Sequence, residues 1–106
     1  VRFEVGDVFH VTGSYLQDWL LYPTDFNWRV AAEAGGELRA VADIGTHLID
    51  LVTFVTGLEV EAVCADLHTV HPVRRRPAGG GETFTASAAG DRPTEPVPVS
   101  TEDYGS

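Results

Sequence analysis

Ala42-Asp43-Ile44-Gly45-Thr46-His47-Leu48-Ile49-Asp50-Leu51 places an aspartate, a histidine and a second aspartate at i, i+4 and i+7 within an apolar pattern. At roughly 100° per residue, these three side chains fall on one side of a helix. Ile44, Leu48, Leu51, Val52 and Val55 form the adjacent stripe, expected to face a core. Polar groups flanking such a stripe stand between core and cleft. An imidazole there can exchange protons near neutral pH, and a carboxylate one turn away can orient it or share its substrate. The same spacing also describes an ordinary surface pair, which contributes about 0.2–0.5 kcal/mol. Spacing alone leaves both readings open.

Outward from this stretch, the pattern predicts a helix over Ala40 to Thr56, capped by Gly57 and preceded by a link ending at Gly35-Gly36. Gly45 inside the helix costs about 1 kcal/mol against alanine. It therefore suggests close approach by a neighbouring backbone or a ligand. Phe9, Val11, Gly13 and Tyr15 alternate with His10, Thr12 and Ser14, which predicts a strand. Glu59 to His71, with Val60, Ala62, Cys64 and Asp66 in alternation, predicts a second. Trp19 to Trp28 is irregular but too aromatic for a free loop; it should pack on the domain, or line a pocket. His68 and His71 would point to opposite faces of a strand and are discounted as a metal pair. No metal site is expected.

From Pro72 onward prolines and glycines dominate and apolar residues thin out. Residues 73–106 are expected to be a loop or partly disordered insertion leading to a further strand near Thr101-Glu102-Asp103-Tyr104. The run Arg74-Arg75-Arg76 reads as a solvated loop. The expected fold class is α+β: part of an open antiparallel sheet with a helix packed on one face. Residues 1–72, ahead of that insertion, are expected to be the ordered portion.

Asp43-Ile44-Gly45-Thr46-His47-Leu48-Ile49-Asp50 resembles the D-[IVC]-G-x-H-x-x-D helix signature of the Gfo/Idh/MocA oxidoreductases, the family of glucose-fructose oxidoreductase and inositol dehydrogenase. Gly35-Gly36 matches the glycine-rich turn before that helix. Gly13-Ser14-Tyr15-Leu16-Gln17-Asp18-Trp19-Leu20 and Asn27-Trp28-Arg29 look like the elements that precede it, so the resemblance spans residues 3 to 72. It implies that residues 1–72 are a piece of the second, C-terminal domain, the substrate and oligomerisation domain, an open antiparallel sheet with helices on one face. It implies hydride transfer between NAD or NADP and a carbon bearing a hydroxyl on a sugar or cyclitol. His47 would be the general base and Asp43 would orient it or the substrate. Tyr15, Arg29 and Asp50 would contact substrate. For Arg29 an arginine–carboxylate bridge, for Tyr15 a packing role and for Asp50 a structural bond to backbone stand beside that role.

There is no G-x-G-x-x-G and no lysine, whereas the family's Rossmann domain ends in a Glu-Lys-Pro element. The chain has no methionine either, so it is expected to be a piece of a longer protein. By itself it is expected to bind no nicotinamide cofactor. The dinucleotide would sit mainly on a Rossmann domain outside it.

The chain has 106 residues, 43 % of them hydrophobic and 22 % charged, which fits one folded unit. A net charge of −9 argues against a nucleic-acid surface, because phosphate binding needs clustered cations. No apolar run approaches the roughly 20 residues that cross a bilayer. Cys64 is the single cysteine, so no internal disulfide forms and a cytoplasmic setting is expected. Unpaired sheet edges suggest a homo-oligomer. Two alternatives remain from the residues themselves. One is a non-enzymatic oligomerisation module. The other is a metal-dependent sugar enzyme using Asp43, His47 and a further His or Asp as ligands.

Overall fold

A computed structural model describes residues 6–78 and 93–106. It is α+β, with helical elements in the middle of the chain and short antiparallel pairings toward its end. A 3₁₀ turn over Trp28–Val30 leads into α1 (Ala32–Gly35). A π-helical turn over Val41–Gly45 runs directly into α2 (Thr46–Thr56). The strands are β1 (Leu67–His68), β2 (Val73–Pro77), β3 (Thr94–Pro98) and β4 (Tyr104–Gly105).

The predicted helix therefore forms, and Gly57 ends it in the left-handed region at φ 71°, as a C-cap glycine should. Its first turn is wider than expected: Thr46 N–H reaches back to the Val41 carbonyl, five residues earlier. No backbone of another element closely approaches Gly45. A Cβ there would meet only Val41 and Ala40 of its own helix, at 3.6 Å and beyond. The glycines that matter for approach are elsewhere. At Gly105 a Cβ would lie 2.6 Å from Val41 Cγ2, and at Gly35 one would lie 2.9 Å from the Arg29 carbonyl oxygen. Gly105 thus seats β4 against the start of the long helix, and Gly35 folds α1 back onto the turn that carries Arg29.

The two strands expected from alternation are mostly extended chain without a ladder. Among the described residues nothing pairs with 6–17, and of Glu59 to His71 only the stretch Asp66–His68 pairs, Leu67–His68 with Tyr104–Gly105 and Asp66 with Ser106. Period-two alternation reports an extended backbone with two unlike faces; a strand also needs a neighbour to accept its N–H and C=O groups. The expected further strand is β4.

The proline-rich part departs from expectation in the other direction. Val73–Pro77 and Thr94–Pro98, read as loop, form an antiparallel ribbon, with Arg74 opposite Val97 and Arg76 opposite Glu95. Its prolines are compatible with pairing because of where they fall. Val99 N–H bonds the Pro72 carbonyl at 2.9 Å, so the period of two turns the N–H positions of 96 and 98 away from β2. Pro96 and Pro98 thus lie along an outer edge, where a missing donor costs no ladder bond. The other edge of β2 is taken by Arg75 N–H bonding the Pro23 carbonyl at 2.8 Å. The expected insertion between the strands, 79–92, lies outside the described residues.

The centre of the described structure is polar. Val30 and Val99 are buried, and around them so are Asp25, Asn27, Arg39, Arg74, Thr101 and Glu102. Arg74 is fully buried, which corrects the reading of the arginine run as solvated; Arg76 is exposed and ion-paired with Glu95. The helix stripe expected to face a core is only half covered. Ile44, Leu48 and Val52 are half-buried, while Leu51 and Val55 are exposed together with Ile49 and Phe54.

Candidate active site

The extended segment Gly13–Trp19 runs along the long helix, near enough that a Cβ on Gly13 would meet Leu48 Cδ1 at 3.7 Å. Between this segment, the 3₁₀ turn and the helix lies an open cleft of about 330 Å³. Tyr15, Gln17, Asp18, Trp19, Arg29, Asp43, Ile44 and His47 line it. Tyr15, Arg29, Asp43 and His47, four of the five residues picked out from sequence, thus meet in one place. His47 is exposed, not sealed among aliphatic side chains. Asp50 is exposed and does not line the cleft; it lies seven residues, about 10 Å along the helix axis, beyond Asp43.

Arg29 organises the floor. Its Nε meets Asp43 Oδ2 at 3.0 Å. Its guanidinium carbon lies 4.5 Å from the Trp28 ring centroid and 5.3 Å from that of Trp19. A guanidinium is planar and weakly hydrated, so it stacks on indole faces while holding a carboxylate at its edge. The arginine–carboxylate bridge weighed for Arg29 is present, and its acid is Asp43 itself. The 3₁₀ turn is anchored by Asn27, whose Oδ1 accepts from Arg29 N–H at 2.9 Å. The two tryptophans line clefts instead of entering a core, and Trp28 is 51 % exposed.

Tyr15 faces His47, with ring centroids 6.3 Å apart and planes tilted by 36°. Gln17 bridges Tyr15 and Trp19. Its amide nitrogen donates to Tyr15 Oη at 3.2 Å and its carbonyl accepts from Trp19 Nε1 at 2.7 Å.

Behind the cleft sits a knot of buried charge that sequence reasoning missed. Asp103 Oδ1 accepts from the guanidinium of Arg39 and, at 2.5 Å, from Arg74 Nη2, while its Oδ2 accepts from His71 N–H at 3.0 Å. Burial disfavours the Asp103 carboxylate, but the His71 N–H and the two guanidiniums outweigh that and hold its pKa below the usual carboxylate value. Burial pulls Arg74 down from the ordinary arginine value, with Asp103 opposing the shift. Glu102 caps the helix entry. Its carboxylate accepts from Arg39 N–H at 2.9 Å and Val41 N–H at 2.8 Å. Arg74 also donates to the carbonyls of Leu20, Tyr22 and Asp25 at 2.9–3.0 Å, fixing the loop that carries Trp19 toward Trp28. The readable signal was the Glu102-Asp103 pair downstream of an arginine run. Its partner Arg39 is more than 60 residues away, beyond the reach of local spacing.

Among the described residues no three His, Cys, Asp or Glu side chains come together as a metal set. No helix among them is long and apolar enough to cross a membrane.

With this geometry in view, comparison with known proteins is decisive. The family model for the GFO/IDH/MocA C-terminal domain matches residues 3–105. The chain belongs to this family. It is also 35 % identical over 99 residues to levoglucosan dehydrogenase of Pseudarthrobacter phenanthrenivorans. That alignment covers 92 % of this chain and 25 % of the relative, so the chain spans about a quarter of that enzyme's length. No solved structure matches the chain.

Proposed function

We propose that this chain forms the substrate-facing part of a nicotinamide-dependent dehydrogenase acting on a hydroxyl of a sugar or cyclitol. The observation that carries the reading is the convergence of Tyr15, Arg29, Asp43 and His47 on one open cleft of about 330 Å³. His47 takes the proton of the reacting hydroxyl as hydride leaves its carbon, and returns it in the reverse direction. Asp43, held by Arg29, supplies a fixed carboxylate one helical turn away that orients the substrate or the imidazole. Tyr15 and the Arg29 edge contact neighbouring hydroxyls. Asp50, outside the cleft, is given no substrate contact.

NAD or NADP would supply the hydride acceptor. The residues here do not fit its pyrophosphate: the amides at the entry of α2 and its preceding π-helical turn are occupied by Glu102. This supports placing the cofactor mainly on another part of the protein. The metal-dependent alternative finds little support, because Asp43 is already turned to a guanidinium.

The relative named above makes levoglucosan the first compound to try, beside glucose and myo-inositol. In the full-length protein, wild type is expected to reduce NAD or NADP with at least one of these. His47→Ala should lose about a hundred- to ten-thousand-fold in kcat with cofactor affinity nearly unchanged. Retention of more than about half the activity would place the base elsewhere.

A second reading, an oligomer-forming role, draws on the exposed apolar side chains, with Phe9 93 % and Phe54 85 % exposed. It is compatible with the first, the homo-oligomer forming through the sheet and the helix face. A cytoplasmic setting accords with the free, exposed Cys64.

A further inference from the structure

We propose that Gln17 is a positioning residue that fixes the direction of the Tyr15 hydroxyl, making Tyr15 a hydrogen-bond donor to a substrate oxygen. The proposal rests on reading the cleft as a substrate site. It follows from the donor and acceptor inventory of three side chains in a row. An indole N–H can only donate. Trp19 Nε1 lies 2.7 Å from Gln17, so the atom facing it must be the amide oxygen. The amide nitrogen then faces the other way, 3.2 Å from Tyr15 Oη. An amide N–H₂ has no lone pair to offer, so the phenol oxygen accepts and its own proton is left to donate elsewhere. Both Tyr15 and Gln17 line the cleft that also holds His47 and Asp43. Among the described residues Tyr15 Oη has no further hydrogen-bond partner, so its donor is directed at whatever oxygen enters.

The chain of direction starts at a firm point. Trp19 is half-buried, and its ring lies against the Arg29 guanidinium on the floor of the cleft. Polarity set at Trp19 is passed to Tyr15 through a single amide. The site thereby divides its labour: Tyr15 donates to one substrate oxygen, while His47 remains free to accept a proton from the reacting one. This selects substrates bearing an acceptor oxygen next to the oxidised carbon.

The test is a set of substitutions in the full-length protein with levoglucosan as the probe. Tyr15→Phe should raise KM about three- to tenfold, the range of one neutral hydrogen bond, with kcat within about twofold. Gln17→Glu keeps shape and still accepts from Trp19, but a carboxylate cannot donate, so Tyr15 turns its proton onto it. It should match Tyr15→Phe, and the Tyr15→Phe/Gln17→Glu pair should be no worse than Tyr15→Phe alone. Gln17→Met leaves the hydroxyl free to rotate, so KM should rise about two- to threefold, less than for Gln17→Glu.

A Gln17→Glu penalty that persists in the Tyr15→Phe background would overturn the proposal, since it would then be a charge effect. So would a Gln17→Met loss equal to that of Gln17→Glu, which is the mark of a merely structural side chain. If wild type acts on none of the sugars tried, the functional reading fails on its own. The hydrogen-bond direction is still decided by a crystal structure of Gln17→Glu. There the 3.2 Å spacing to Tyr15 Oη should contract to about 2.5–2.7 Å. A carboxylate turned away from the phenol would refute the assignment.

Discussion

Two arginine–aspartate contacts, made of the same groups, sit in opposite surroundings. In the cleft, Arg29 and Asp43 meet at 3.0 Å with side chains 16 % and 32 % exposed. In the knot behind it, Arg74 and Asp103 meet at 2.5 Å with side chains 0 % and 11 % exposed. The cleft pair keeps contact with water, and its carboxylate lines the same cleft as the exposed His47. The knot pair is enclosed, shared with Arg39, and tied to the backbone of His71 and of the Leu20–Asp25 loop. Burial, not the identity of the contact, sorts them. An enclosed charge is stable only while every partner stays, so it serves as a fixture. A half-open charge loses little when a partner changes and can turn toward a substrate.

The largest expected difference between the two is in stability. Asp103→Asn leaves Arg39 and Arg74 facing each other in a buried space without their shared counter-charge. Removing one partner of such a set costs about 3–5 kcal/mol. Chemical denaturation of the full-length protein should show a midpoint shift of that size, with loss of the Leu20–Asp25 loop positions first. A shift under about 1 kcal/mol would mean the knot is as solvated as the cleft pair.

A smaller effect is expected from acid. The folded-state pKa of Asp103 lies below its unfolded value, so its contribution is fully present above the unfolded pKa. It is lost as pH falls through the carboxylate range toward the depressed folded value. Denaturation midpoints should therefore fall below about pH 4, and Asp103→Asn should flatten that part of the profile. An unchanged slope in the variant would assign the acid sensitivity to other carboxylates.

The same contrast explains what could be read from the sequence. The helix, its Gly57 cap and the Asp43/His47 adjacency are local: periodicity and i, i+4 spacing dictate them within a few residues. Most of the cleft was legible for that reason, together with the family's Tyr and Trp-Arg elements. The knot was not, because Arg39 and Arg74 reach Asp103 across 64 and 29 residues, and no local pattern carries such a distance. The ribbon of β2 and β3 was hidden by its prolines, whose composition signals a loop unless the alternation of N–H direction is already known. Conversely, the alternation at Phe9–Tyr15 promised a strand that, among the described residues, has no partner. The π-helical turn at Val41–Gly45 left no readable trace, although it carries Asp43 itself.

The smallest expected stability change, and the sharpest split between the two pairs, belongs to Asp43→Asn. The amide still accepts from Arg29 Nε, and the guanidinium remains stacked on Trp28, so folding should change by less than about 1 kcal/mol. Turnover should respond differently. On the proposed reading, His47 or its substrate then loses the carboxylate that orients it. A drop in kcat of about tenfold is expected, smaller than that of His47→Ala because the base itself remains. Denaturation and steady-state kinetics on the same protein sample separate the outcomes. If Asp43→Asn unfolds the protein by several kcal/mol while the folded fraction turns over normally, the cleft pair is a fixture like the knot, and the general-base assignment loses its supporting carboxylate.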